Sequence, residues 1–263
     1  MNEAPANLSP PAIAMSGVGA GANRDPGVTV AADVRWIVNP GEFWVVAGQQ
    51  HSGKTDFLMM VGGLTAPTAG EYRFLGEPMP IFEETRLSER LKLGFVFDGG
   101  QLLGHLTVAE NIALPLRYHF DLGSEELQSR VRALLDFTEL RPWANSTPGT
   151  VGRSWQQRAG LARALALGPE VLLLDSPLTG LDARHAHWWL NGLDQLSRGH
   201  GVGHGKPMTL VATADDLRPW RGHAKHFACL ADQRLLVLGD WLAVENCREQ
   251  AVCDLLDAGP AHD

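Results

Sequence analysis

Apolar residues in this chain gather either in short solid runs or at helical spacing, and the alternation of the two gives its layout. Phe43-Trp44-Val45-Val46-Ala47 and Val171-Leu172-Leu173-Leu174 are unbroken apolar runs, the pattern of strands covered on both faces. Residues 208–213 read as another strand. Between about 98 and 156 the pattern turns helical, with Leu127, Val131, Leu134 and Leu135 at helix spacing behind a candidate N-cap at Ser124. Trp189, Leu190, Leu193 and Leu196 line one face of a later helix. Asp182 is placed to cap it. In residues 28–47, short strands are broken by Asn39-Pro40-Gly41, a β-hairpin turn signal. Residues 1–27 are rich in Ala, Gly, Pro and Asn and read as a loose arm with one edge strand near 13–18. The sum is an α/β chain with a helical insert.

The first apolar run leads into Gly48-Gln49-Gln50-His51-Ser52-Gly53-Lys54-Thr55, followed by Asp56 and the helical start Phe57-Leu58-Met59-Met60-Val61. This fills every fixed position of G-x-x-x-x-G-K-[ST] in its required strand–loop–helix setting. Backbone N–H groups of such a loop ring phosphates, and the helix N-terminus adds positive dipole charge. Lys54 is the group to reach the β- and γ-phosphates, and Thr55 the group to hold Mg²⁺. Asp175, closing the second apolar run, is a second magnesium candidate.

Composition narrows the classes. The 263 residues are enough for a full core, and 22 Lys and Arg stand against 30 Asp and Glu. No basic run is long enough for a nucleic-acid patch. Cys229, Cys247 and Cys253 lack metal spacing and suit a reducing cytosol. His200 and His204 belong to a Gly-rich loop rather than a metal pair, and His185 and His187 do not share a helix face. No apolar stretch approaches the ~20 residues of a membrane span. With Glu3 and no basic residue before Arg24, the start does not read as a secretory signal.

The order of motifs over roughly residues 28–258 resembles an ABC transporter ATP-binding subunit. Gly48–Thr55 matches its Walker A loop, Val171-Leu172-Leu173-Leu174-Asp175 its Walker B strand, and Thr179-Gly180-Leu181-Asp182 its D-loop. Gln156-Gln157-Arg158 and Leu161-Ala162-Arg163-Ala164-Leu165 match the helix behind its signature motif. Leu106-Thr107-Val108-Ala109-Glu110-Asn111 with Leu114-Pro115-Leu116-Arg117 is similar to the Mla-type lipid transporters; lipoprotein releasers share that pattern. The resemblance implies a P-loop NTPase fold of the ABC type: a mostly parallel core sheet with flanking helices, an N-terminal antiparallel β-subdomain, and a helical subdomain at about 98–156 within a domain spanning 28–263. It implies ATP and Mg²⁺ as cofactors, with Thr55, Asp175 and the Q-loop position Asp98 toward the metal. Implied partners are an integral-membrane permease and a second ATP-binding subunit, on the cytoplasmic side and peripheral to the inner face of the cell membrane.

Departures from the family pattern fall at the chemistry. Ser176 stands where the catalytic Glu follows the Walker B Asp, and Ala214 where the switch His ends its strand. Asp98 replaces the Q-loop Gln. The L-S-G-G-Q signature aligns with Val151, Gly152, Arg153, Ser154 and Trp155, which the resemblance, with Asp182 of the D-loop, places at the dimer interface; bulk there falls where close backbone approach to the γ-phosphate on the opposite subunit is needed. No aromatic for adenine stacking occurs at 19–24. A serine hydroxyl is no general base near neutral pH, so the expectation is ATP binding with weak or lost hydrolysis. The alternatives are turnover through substitute groups, Asp98 for metal or water and Arg153 for the γ-phosphate, or a soluble nucleotide-dependent regulatory protein.

Overall fold

The computed structural model describes residues 9–25, 27–79, 84–203 and 205–257. In chain order the elements are β1 (Ile13–Gly21), β2 (Thr29–Val38), β3 (Phe43–Ala47), α1 (Lys54–Val61), β4 (Ala69–Phe74), β5 (Glu77–Pro78), α2 (Leu87–Arg90), β6 (Leu93–Val96), α3 (Val108–His119), α4 (Ser124–Phe137), α5 (Arg153–Leu165), β7 (Val171–Leu174), α6 (Ala183–Ser197), β8 (Thr209–Ala214), β9 (His226–Ala231), β10 (Arg234–Gly239), α7 (Trp241–Asn246) and α8 (Gln250–Asp257). Among the described residues they form two sheets. One is antiparallel in the order β2-β1-β4-β5. The other runs β10-β9-β3-β8-β7-β6 and is parallel except where β10 returns beside β9.

Alternation along β3 divides the core. Phe43, Val45 and Ala47 share a sheet face with Leu172, Leu174 and Leu210, packed with the helices carrying Leu161, Trp189 and Leu193. Trp44 and Val46 face the opposite layer, with Leu173, Val211, Phe57 and Leu58 and the antiparallel sheet's Ile13, Val34 and Trp36. Both faces are covered, which is why β3 is buried at every position. Burying each large apolar side chain there contributes about 1.5–3 kcal/mol.

Several expectations need correction. Residues 13–21 are neither a loose arm nor an edge: β1 lies between β2 and β4 and buries Ile13, Met15, Val18 and Ala20. Its small residues hide it, and its register against β2 shifts after Met15 and again after Val18, which blurs the two-residue period. Residues 1–8 of the expected arm lie outside the described residues, as does His204. Asn39-Pro40-Gly41 makes no hairpin, because β2 and β3 belong to different sheets and the turn carries the chain from one to the other. Ser124 does not cap α4; Gly123 is the N-cap and Ser124 the first helical residue.

The helical insert is set by its own signals. Thr107 caps α3 in a reciprocal box, accepting from Glu110 N at 3.2 Å while Glu110 Oε2 accepts from Thr107 N at 2.8 Å. Buried Asn111 donates to the carbonyls of Leu103, Leu106 and Thr107 and accepts from Leu103 N, fixing the loop ahead of the helix. No helix among the described residues is long and apolar enough to cross a membrane.

Candidate functional site

The phosphate loop links the end of β3 to α1. Gly53 is the N-cap of α1 at φ 87°, and a Cβ there would meet Val30 Cγ1 at 2.6 Å, so glycine is required by both backbone and space. His51 also takes a positive φ, 62°. Gly48 N donates to Ala214 O at 3.0 Å, tying the loop's first residue to the end of β8. The Ser52 hydroxyl is buried in the loop with no hydrogen-bond partner, a donor that a phosphate oxygen would satisfy. Gln49 Nε2 donates to Asp254 Oδ2 of α8 at 3.0 Å, and Asp56 Oδ1 accepts from Asn23 N at 3.0 Å. Gln50 lines a cavity of about 590 Å³ with Gln49, Thr213, Ala214, Asp215 and Asp254.

Thr55 and Asp175, the two magnesium candidates, lie in contact. Thr55 Oγ1 donates to Asp175 Oδ2 at 2.9 Å. Asp175 is only 4% exposed; burial pushes its carboxyl above the ordinary range, helped by the negative charge of Asp98 and opposed by hydrogen bonds from Thr55 and Thr213 and by Lys54. A hydroxyl and one carboxylate beside a phosphate cradle suit Mg²⁺, which takes its remaining ligands from water and phosphate. Bound there, Mg²⁺ would neutralise phosphate charge. No group of three or more His, Cys, Asp or Glu poised for a metal occurs among the described residues.

Behind the carboxylate, Thr213 and Ser176 are joined in a hydrogen-bonded group. Thr213 Oγ1 donates to Asp175 Oδ1 at 3.0 Å and accepts from Ser176 N at 2.8 Å. The Ser176 hydroxyl stands 3.4 Å from that same oxygen, on a backbone at φ 48°. Ala214 is buried and presents a methyl. Asp98 does not turn to Thr55 or Asp175: both its oxygens accept from Arg153 Nη2 at 2.6 Å. Arg153 opens α5, where the helix dipole disfavours a cation, and Asp98 offsets that charge. Arg163 of α5 donates to the carbonyls of Gly100 and Gln101, and Gln157 reaches Ser176 O at 3.5 Å. Gly152 and Ser154 flank Arg153 at the start of α5.

Trp155 belongs to a stack that sequence reasoning missed. The guanidinium of buried Arg158 lies between Trp155, 4.5 Å from its centroid, and Trp188 at 3.8 Å. Arg158 also donates to Glu139 at 2.8 Å and lies 3.0 Å from His185 Nδ1. Because arginine only donates, Nδ1 accepts and His185 is neutral; burial, reinforced by the Arg158 charge, holds the imidazole below its ordinary range. Asp182 Oδ1 caps α6 by accepting from His185 N. A lone Arg after two Gln gives no sign of this, although Trp188-Trp189 is a hint of an aromatic shelf. Asp215, also missed, pairs with Lys54. The signal for it was its place just past a strand that closes beside the phosphate loop.

A phosphate loop following β3, a Walker B carboxylate just past β7 and a helical insert ending in α5 define a P-loop nucleotide site of the ATP-binding cassette kind. Residues 31–179 match the ABC transporter family, and the chain belongs to it as an ATP-binding subunit. It is similar to the intermembrane phospholipid transport system ATP-binding protein MlaF of Escherichia coli strain K12, 31% identical over 226 residues covering 86% of this chain and 82% of that one. It is also similar to the methionine import ATP-binding protein MetN of Lacticaseibacillus paracasei, 30% identical over 223 residues covering 84% of this chain and 61% of that one. Among solved structures it resembles the dimeric ATP-binding cassette MJ0796 bound to ADP and Pi, with a TM-score of 0.75, 28% identity, and coverage of 85% of this chain and 96% of that one.

Proposed function

We propose that this subunit binds Mg-ATP with impaired hydrolysis in a lipid-type ABC transporter, docked on the inner face of the cell membrane beneath a permease and beside a second ATP-binding subunit. One observation carries the reading: Lys54, Thr55 and Asp175 keep the cradle and metal end intact, while Ser176 and Ala214 supply neither a base nor an imidazole. The loop holds phosphate through backbone N–H groups, Ser52 and Lys54; Thr55 and Asp175 orient the metal. Substitute catalysis draws no support from the geometry, since Asp98 and Arg153 neutralise each other.

Docking is supported by exposed apolar side chains around the start and outer face of α3: Leu103, Leu114 and Tyr118, the last 80% exposed. The likeness to a phospholipid transport protein favours a lipid cargo. The test is nucleotide binding and phosphate release measured side by side on the purified chain, with Lys54→Ala as control. Binding that is lost in the variant, with little release by either protein, is the expected result; brisk release by the unaccompanied chain refutes it. Co-purification with a membrane permease separates this reading from a free-standing regulatory protein.

A further inference from the structure

The ammonium of Lys54 is fully engaged. It donates to Gly48 O at 2.8 Å and Gln49 O at 2.7 Å, and Asp215 Oδ1 lies 2.8 Å from Nζ. A lysine has three donors and no acceptor, so a phosphate must displace one of these three partners. Two of the acceptors are neutral carbonyls of the cradle itself. The third is a full negative charge delivered from just past the end of β8.

That delivery is built into the sheet. β8 runs parallel to β3 with Ala214 opposite Ala47, and the bond from Gly48 N to Ala214 O pins the strand end. The residue after Ala214 is thereby held against the opening of the loop. The adjacent guanidinium of Arg218 is taken by Asp216 at 2.7 Å. The cavity here is lined by the carboxylates of Asp215, Asp216 and Asp254 and by the Ala214 methyl, with Arg218 the one cation among its lining residues.

The geometry points to Asp215 as a built-in substitute for the terminal phosphate, so that the cradle takes a nucleoside diphosphate in preference to a triphosphate. This rests on the nucleotide-site reading above. A diphosphate need displace only a neutral carbonyl from Lys54 and leaves the Asp215 contact whole. A triphosphate brings its additional charge to the same ammonium, where like charges in contact repel. At that end Ala214 offers no donor in compensation. The carboxylate therefore has to leave Lys54 before the third phosphate can settle.

The experiment is calorimetric titration of the full chain with ADP and with ATP, each with Mg²⁺, for wild type, Asp215→Asn, Asp215→Ala and Lys54→Ala, after melting curves show each variant folded. Wild type is expected to bind ADP at least as tightly as ATP. Both Asp215 variants are expected to shift the ATP-to-ADP affinity ratio toward ATP by roughly tenfold or more. A wild type that favours ATP by about tenfold, or a ratio unmoved in both variants with binding intact, overturns this proposal alone. Absence of any nucleotide binding, in wild type and variants alike, overturns it together with the nucleotide-site reading.

Discussion

Asp98 and Arg153, 55 residues apart, are joined through a single guanidinium nitrogen that lies 2.6 Å from both carboxylate oxygens. Each answers the other's charge. The pair is substantially exposed, 62% at Arg153 and 41% at Asp98, so water screens it. A double-mutant cycle with Asp98→Ala and Arg153→Ala in urea should give a coupling of about 0.2–1 kcal/mol. Phosphate release should be indifferent to Asp98→Ala; a large fall would place Asp98 at the metal instead.

Asp175 sets a pH dependence whose sign is fixed by burial. Its folded pKa is raised, so the fold binds this proton more tightly than the unfolded chain does. The protonated form is favoured, and stability is lost as pH rises from about the unfolded value of 3.8 through the higher folded value. Asp175→Asn should therefore raise the melting temperature of the ligand-free chain at neutral pH while removing any Mg²⁺-dependent shift. A lower melting temperature would show that the hydrogen bonds from Thr55 and Thr213 outweigh burial.

Supplying a base and an imidazole tests the proposed loss of hydrolysis. Ser176→Glu supplies a general base, and Ala214→His a donor at the strand end. Together they should raise phosphate release by ~10²–10⁴. Unchanged release, with nucleotide still bound, would move the block to the 151–155 segment.

Arg158 is structural. Removing it leaves a gap between Trp155 and Trp188 and frees Glu139 and His185, so Arg158→Ala should cost about 2–4 kcal/mol in urea unfolding. Arg158→Lys should recover little of that loss, because a point charge cannot stack flat between two rings.

What could be read from the chain and what could not divide along physical lines. The phosphate loop, the β7 strand with Asp175 and the α6 cap at Asp182 are local, each carried by neighbouring residues whose types fix backbone and hydrogen bonds. The Asp98–Arg153 pair, the Lys54–Asp215 pair and the Arg158 stack join residues far apart in sequence, and only the crossovers of the sheet bring them together. The strand β1 escaped for another reason. Its Ser, Gly and Ala positions have little intrinsic strand preference, and the neighbours that make it a strand lie on both sides, in β2 and β4.

Where the family match begins, at residue 31, is not where the folding unit begins. A shortened version started there would take away the middle rail of the antiparallel layer, leaving β2 and β4 with open edges facing each other across a gap. Trp36 and Tyr72 would lose their cover, and bare strand edges recruit other chains. Any shortened version of this subunit should leave β1 in place, or it exposes strand edges that favour aggregation.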